Sequence, residues 1–463
     1  MDLPVIDTPI FPRWVWIEEI TYSHIPIATL VTAFMVLAPI YEYVGYHRND
    51  PRYDRLAKSL IWFSMILFSP GAALGTGIPM WLMGAYPEFW SRWSNLFFWP
   101  LIAQFGFFLL EVIFLFFAYY LAWDALAHRK RLHIFFGALA ALSGLLVQLV
   151  WDATGAYMLT PSVELPGIDQ PVMWSAAAFF NPSFPFLFTH RFFGNISYAM
   201  LLTGGVFALK YMRAKVPEER DYFGFASNLT FTVGFLSFFA MPFIGWGYAR
   251  VIADHAPVAF RAIMGGHTAP HFTVKMTAVL VMLVIAAPYF FNRYRGRAAL
   301  VLVSVGVLSL LPVFYWHPPL DWFPGGRGEW MDIVTVGIVG FVAFLWMVGG
   351  RLDVERKGWR WAMLAAGLCA TTAFLIGGFV RERSKSPDSV YGEIVKPEVT
   401  PAEADRYLLY DRCLGCHSTP EVFSDYAPRD WERRVATERA REGVTLSDEE
   451  AGRLVRYLGE TYP

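Results

Sequence analysis

Charge is scarce in this sequence of 463 residues, and so is cysteine. Only 17% of the residues are charged, against 56% hydrophobic and 17% aromatic, which excludes an ordinary soluble protein of this size and makes the membrane its natural solvent. The net charge of -1 comes without a basic stripe, so neither a polyanionic partner nor nucleic acid is expected. The amino terminus carries Asp2, Asp7, Glu18 and Glu19 and lacks the basic n-region and small-residue cleavage pattern of a signal peptide. The first hydrophobic segment is therefore expected to be retained.

What the sequence has in abundance is apolar length. Runs of roughly 20 residues, enough to cross about 30 Å of hydrocarbon, recur about ten times, near 22–43, 57–80, 95–123, 133–152, 187–210, 223–247, 272–291, 299–317, 333–350 and 361–380. The expected fold is all-α: a polytopic transmembrane bundle of about ten spans over 1–381, a linker over 382–400 and a small all-α periplasmic domain over 401–463. Lysine and arginine set the orientation, because short cytoplasmic loops are enriched in them. Alternate loops carry Arg48, Arg52, Arg55 and Lys58; Arg129, Lys130 and Arg131; Lys210, Arg213, Lys215 and Arg220; Arg293, Arg295 and Arg297; and Arg351, Arg356, Lys357 and Arg360. Those loops are expected to be cytoplasmic, and both chain ends periplasmic, in a bacterial inner membrane. One group is discordant: Arg381, Arg383 and Lys385 follow the last span on the external side.

Two of the three cysteines form Cys413-Leu414-Gly415-Cys416-His417. This C-x-x-C-H spacing lets two thioethers hold the vinyl groups of one covalent haem c while the histidine supplies the proximal nitrogen to iron. A redox dithiol or half of a zinc site would need a thioredoxin-like strand pattern or further cysteines, and neither is there. Haem c is attached outside the bacterial cytoplasm, which agrees with the loop charges. Cys369, alone in the tenth span, reads as a small packing residue. Thr400-Pro401-Ala402-Glu403 and Ser447-Asp448-Glu449-Glu450 are capping boxes that open helices on either side of the motif. The second helix places Leu454, Tyr457 and Leu458 on one face, to pack near Tyr407 and Tyr410. This order of parts resembles class I cytochrome c domains. It departs from them in having no methionine after Met363 and no histidine after His417, so the usual thioether is not available within the domain as sixth ligand. Five-coordination, water, Tyr, Lys or a group from elsewhere remain open, with a potential lower than that of a Met/His haem.

Within the membrane region His24, His190 and His317 fall near the external ends of their spans, as does Met276. Each is a candidate haem-iron ligand, and each has an ordinary alternative as a packing or interfacial hydrogen-bonding residue. His128 and His133 lie toward the cytoplasmic side and read as loop or interface residues.

Several stretches add meaning by their order: Ser23-His24-Ile25-Pro26; Thr76-Gly77-Ile78-Pro79; Trp99-Pro100 running to Glu111 and Trp123-Asp124; Asn181-Pro182 followed by Thr189-His190; and Thr273-Val274-Lys275-Met276. Together they resemble the large subunit of the cytochrome bd family of quinol oxidases over about the first 350 residues. The resemblance implies that His24 ligates a haem of the oxygen-reducing pair and that His190 and Met276 ligate a low-spin haem b. It also implies work in a complex with a related second membrane subunit and other respiratory-complex subunits, and quinol as a reductant.

The departures fall on the oxygen and quinol machinery. The family's Gly-Arg-Gln-Pro-Trp motif, with its ligand glutamate, is replaced by Pro312-Val313-Phe314-Tyr315-Trp316-His317-Pro318-Pro319, where His317 fits either a substitute ligand or a helix cap. The external segment 248–271 is short for a quinol loop. An acidic position of the third span reads Gln104, leaving Glu111 as the main intramembrane carboxyl and a candidate catalytic proton relay. The favoured expectation is a respiratory electron-transfer protein passing electrons between membrane haem b, reduced by quinol or another membrane donor, and haem c facing a periplasmic redox partner. The alternative is a divergent terminal oxidase that reduces oxygen at a further haem on His24. A third reading leaves the membrane region as an anchor with few cofactors.

Overall fold

The computed structural model describes residues 13–383 apart from 164, 168–169, 257–259, 261–268, 295, 309–325, 349–350 and 352–356, together with 405, 408–409, 430–440 and 446–461. These residues are helical, turn or irregular, and none is in a strand. The all-α expectation therefore holds. Eight helices among them are long and apolar enough to cross a membrane. They answer to the first seven expected spans and the tenth. The eighth runs into residues outside those described, and the ninth is a helix, Gly326–Val348, with a shorter apolar stretch, Val336–Met347.

We number the helices in chain order. Helix α1 (Arg13–Arg48) and α2 (Pro51–Ala85) form a hairpin with a two-residue connection. The turn is local chemistry: Asn49 takes the left-handed conformation with φ 53°, Asp50 accepts from Arg52 N at 3.0 Å as the N-cap, and Pro51 starts α2 without an amide to satisfy. Prolines 26, 39, 70 and 79 lie inside these two helices, as membrane helices tolerate when neighbours re-satisfy the backbone. Helix α3 (Pro87–Leu96) precedes α4 (Phe98–Val112), which continues as a π-helix over Ile113–Leu121. Helices α5 (Lys130–Tyr157), α6 (Ala176–Phe179) and α7 (Phe184–Arg213) follow. One span is broken into α8 (Pro217–Phe238) and α9 (Met241–His255), with Pro242 in the first turn of the second piece. Then come α10 (Ala269–Arg293), α11 (Arg297–Leu308), α12 (Gly326–Val348) and α13 (Lys357–Arg383).

Helix α7 is the axis of the bundle, packed against α1, α5, α8, α9 and α13. Glycine permits that crowding. An added Cβ on Gly234 of α8 would stand 2.7 Å from Leu201 N, and one on Gly367 of α13 would stand 2.7 Å from Leu201 O, so two helices reach the α7 backbone at one residue. Helix α5 buries one stripe, His133, Gly137, Ala140, Ala141, Gly144, Gln148 and Asp152, at helical spacing from end to end. The long apolar side chains that remain exposed, such as Trp99, Phe105, Phe117 and Leu121 on one helix, are what a lipid-facing surface needs. The end of the bundle where α1 meets α2 carries the Lys/Arg-rich turns and is called here the basic end. The opposite end, where α1 and α7 begin and α13 finishes, is called the far end.

Near the carboxyl end, α14 (Trp431–Arg439) packs against α15 (Asp448–Thr461). The expected capping box forms reciprocally: Glu450 N donates to Ser447 Oγ at 3.2 Å and Ser447 N to Glu450 Oε2 at 2.8 Å. Leu454 and Leu458 are buried, as are Leu409, Trp431 and Val435. Cys413, Cys416, His417 and the first capping box lie outside the described residues.

Candidate functional site

The far end gathers side chains from six helices. His24 on α1 donates from Nδ1 to the Gly71 carbonyl of α2 at 2.9 Å. A carbonyl can only accept, so the proton sits on Nδ1 and Nε2 keeps its lone pair, the arrangement of a histidine prepared to ligate a metal. Two glycines bring α2 this close. A Cβ at Gly71 would lie 2.9 Å from Ile27 Cγ2, and one at Gly75 would lie 2.8 Å from His24 Cε1.

His190 lies in the second turn of α7 and makes no hydrogen bond among the described residues. Its ring centroid stands 6.1 Å from that of Tyr248 on α9. Gly245, one turn before Tyr248, faces Nε2, and a Cβ there would stand in contact with that nitrogen at 3.6 Å. Met276 on α10 is buried with Phe239, Phe272 and Val279. A second methionine, Met241 of α9, had no signal in the sequence and packs against this cluster and against Gly194, one turn after His190.

Charge converges on the same region. Asp152 of α5 is buried and paired with Arg191 of α7. Gln148 donates to Asp152 at 3.0 Å, Asn195 donates to Gln148 at 3.0 Å, and Thr29 of α1 donates to Asn195 at 3.2 Å. This chain satisfies buried polar groups from α5, α7 and α1 in one network. Arg381 of α13 donates from Nε to Tyr248 Oη at 3.3 Å, and Lys275 of α10 lies along Gly377 of α13. Arg381, the discordant residue of the loop-charge pattern, is thus held by the fold in the far-end cluster.

Glu111 is buried on α4, with its carboxyl beside Gly144 of α5, and makes no hydrogen bond or ion pair among the described residues. Gln104, one and a half to two turns earlier, is half-buried. The basic end holds the other buried polar cluster. His133, expected as a loop or interface residue, is only 1% exposed. Its Nδ1 bonds Glu42 Oε1 at 2.6 Å and its Nε2 bonds the Tyr119 carbonyl, in the π-helix, at 2.8 Å. Glu42 also accepts from Tyr119 Oη at 2.9 Å and from Lys130 Nζ at 2.8 Å, and Lys130 reaches Asp54 at 3.0 Å. A cavity of about 680 Å³ at this end is lined by Asp50, Asp54, Arg129 and Lys130 among others. The α5 stripe of His133, Gln148 and Asp152 was the signal in the sequence for both clusters.

The far-end residues therefore suit haem by donor chemistry: two imidazoles with available nitrogens, one buried and one half-buried thioether, and cations. His317 lies outside the described residues. Among described residues no group of three or more His, Cys, Asp or Glu is arranged to hold a bare metal ion.

The chain shares its fold with a solved structure described as the structure of bd oxidase from Geobacillus thermodenitrificans, at 18% identity and a TM-score of 0.55, covering 78% of this chain and 97% of that one. No curated protein matches it. The family model described as Cytochrome bd terminal oxidase subunit I matches residues 13–310, well over half the chain and every candidate ligand from His24 to Met276. The chain belongs to that family, whose members are multi-pass membrane proteins that bind b-type haem and work with a second subunit.

Proposed function

We propose that the protein is a respiratory electron-transfer haem protein that carries electrons between a low-spin haem b, ligated by His190 and Met276, and a covalent haem c on Cys413, Cys416 and His417. The observation that carries the reading is the His190 ring, which lies in the second turn of the central helix, makes no hydrogen bond among the described residues and faces a glycine. His190 is half-buried among apolar helices, and a histidine at membrane depth that serves only packing is expected to satisfy its polar nitrogens. Haem bound there supplies one-electron chemistry. The chain's own work is to position the His190 ring, exclude water around Met276 with Phe239, Phe272 and Val279, and set the local charge. The domain division at 1–381, 382–400 and 401–463 and the periplasmic placement of both ends belong to the same reading. They rest on the basic loops and on the C-x-x-C-H motif. A second membrane subunit and quinol as a membrane reductant belong to the reading through the family, and a periplasmic redox partner through haem c.

A pyridine haemochrome spectrum of the purified chain counts b, c and d haems directly. His190→Ala and Met276→Leu are each expected to remove the low-spin b signal while leaving the c signal. An intact b signal in both variants would refute the ligand assignment.

A second reading, a divergent terminal oxidase, has its own support in the Nδ1–H of His24 bound to Gly71, which leaves Nε2 for a further haem, and in the buried Glu111 as a proton relay. Haem d with oxygen uptake abolished by His24→Ala would establish it. His317 enters either reading as a ligand or a helix cap.

A further inference from the structure

The cavity of about 680 Å³ at the basic end lies apart from the histidines of the far end. It is lined by Asp50 and Asp54 from the start of α2, and by His128, Arg129, Lys130 and Arg131 where α5 begins. Its carboxylates are already answered. Asp50 accepts from the Arg52 side chain through both oxygens, at 3.0 and 2.9 Å. Asp54 Oδ2 takes Lys130 Nζ at 3.0 Å, and Asp54 Oδ1 is buried beside Gly45. Two arginines are left over. Arg129 and Arg131 are exposed and form no ion pair among the described residues, and Arg131 has only the Tyr46 ring, 5.9 Å away. Arg129 is also the N-cap of the 28-residue helix α5 and gives it no side-chain cap. The free amides of that first turn belong to Lys130, Arg131 and Leu132, which line the same cavity. Positive charge with no carboxylate to spare selects an anion, and phosphate oxygens suit guanidinium and helix amides alike.

The adjoining surface says where the phosphate comes from. Tyr46 and Leu132 line the cavity and are exposed, and from them apolar side chains continue along both helices, Tyr43 and Ile40 on α1, Phe135 and Leu142 on α5. Arg131 over Tyr46 joins the two rows, and α1 packs against α5. A soluble anion has no use for such a surface, whereas acyl chains do. We propose that this cavity binds the headgroup of an anionic phospholipid, with its phosphodiester held by Arg129, Arg131 and the first amides of α5 and its chains laid along the exposed apolar rows. A zwitterionic lipid fits less well, because its ammonium would find Asp50 and Asp54 occupied. Basic pockets between membrane helices recognise anionic headgroups in this way. Lys130 lines the cavity and holds Glu42 at 2.8 Å, so the lipid sits over the buried Glu42 cluster and stabilises that end by binding the folded chain alone.

The test is native mass spectrometry of the full chain released from mixed micelles of phosphatidylglycerol and phosphatidylethanolamine, with the thermal midpoint followed in parallel. The wild-type chain is expected to retain phosphatidylglycerol in preference and to gain thermal stability with it. Arg129→Gln or Arg131→Gln should weaken the apparent affinity about fivefold, and the two together about 25-fold. Arg129→Lys with Arg131→Lys should keep the lipid, as should Lys215→Gln, which removes an exposed charge from another basic loop. Equal retention of the two lipids by the wild-type chain overturns the proposal without any variant, so it stays exposed to refutation even if a neutralised chain fails to fold. A loss in Lys215→Gln as large as in the arginine variants also overturns it, in favour of diffuse attraction to the surface. Inorganic phosphate that displaces the lipid where chloride at the same ionic strength does not would assign the cavity to a soluble anion, and the lipid assignment falls.

Discussion

Glu42 offers the sharpest test of what holds the basic end together. Its carboxylate is fully buried and accepts from three donors on two neighbouring segments: His133 Nδ1 at 2.6 Å, Lys130 Nζ at 2.8 Å and Tyr119 Oη at 2.9 Å. At 2.8 Å and an effective dielectric constant near 20, one such charge pair is worth about 6 kcal/mol of gross attraction. Desolvation of both ions takes back several kcal/mol, so the pair itself adds little net stability, whereas removing one partner strands the others at a cost of about 3–5 kcal/mol. Glu42→Gln keeps the shape and loses the charge, and is expected to destabilise the bundle by that amount. His133→Leu is expected to do the same. Glu42→Gln combined with His133→Leu leaves Lys130 its bond to Asp54 at 3.0 Å, and the cost of the pair should fall short of the summed single costs by about 1–3 kcal/mol. Unfolding of the detergent-solubilised chain by SDS titration, followed by tryptophan fluorescence, measures all three. Single variants within about 0.5 kcal/mol of wild type, or strictly additive costs, would refute the reasoning.

Two further outcomes follow from local geometry. Gly75→Ala places a Cβ 2.8 Å from His24 Cε1, and is expected to push the ring off the Gly71 carbonyl at a cost of about 1–3 kcal/mol; a thermal midpoint equal to wild type, with any His24-dependent haem signal intact, would show that the α1–α2 contact is not as tight as drawn. Asp50, outside the membrane spans, has its carboxyl held below the usual carboxylate range chiefly by the hydrogen bond from the Arg52 side chain, with the Arg52 amide adding to it. A lowered native pKa means that its stabilisation is present above the unfolded value of about 3.9 and is lost as pH falls through the native value. Asp50→Asn keeps the N-cap and should flatten that acid-side slope in thermal midpoint against pH, leaving the neutral-pH side parallel to wild type.

Much of the fold was legible in the sequence because membrane burial writes itself as apolar length. The first seven spans and the tenth became helices near the expected positions, and the capping box at Ser447 formed by its own local chemistry. The α8–α9 break was not foreseen, since Phe239 and Ala240 keep the run apolar and Pro242 alone does not say which turn will give. Nor did the π-helical continuation of α4 have a sequence signature. What it does is visible only in space, where the Tyr119 carbonyl meets His133.

Composition, apolar runs and the C-x-x-C-H spacing determined by themselves that this is a helical membrane chain with histidines placed toward one end. Those are local or periodic properties, set by residues a few positions apart. Tertiary structure alone decided what the charges are for. Arg381 is a misplaced loop charge in sequence and a neighbour of His190 in the fold, 191 positions away, because α7 begins, and α9 and α13 finish, at the same end of one bundle. His133 is an ordinary interfacial histidine until Glu42, Tyr119 and Lys130 close over it. A charge is defined by its partners, and the partners of a buried charge come from helices that the sequence keeps far apart.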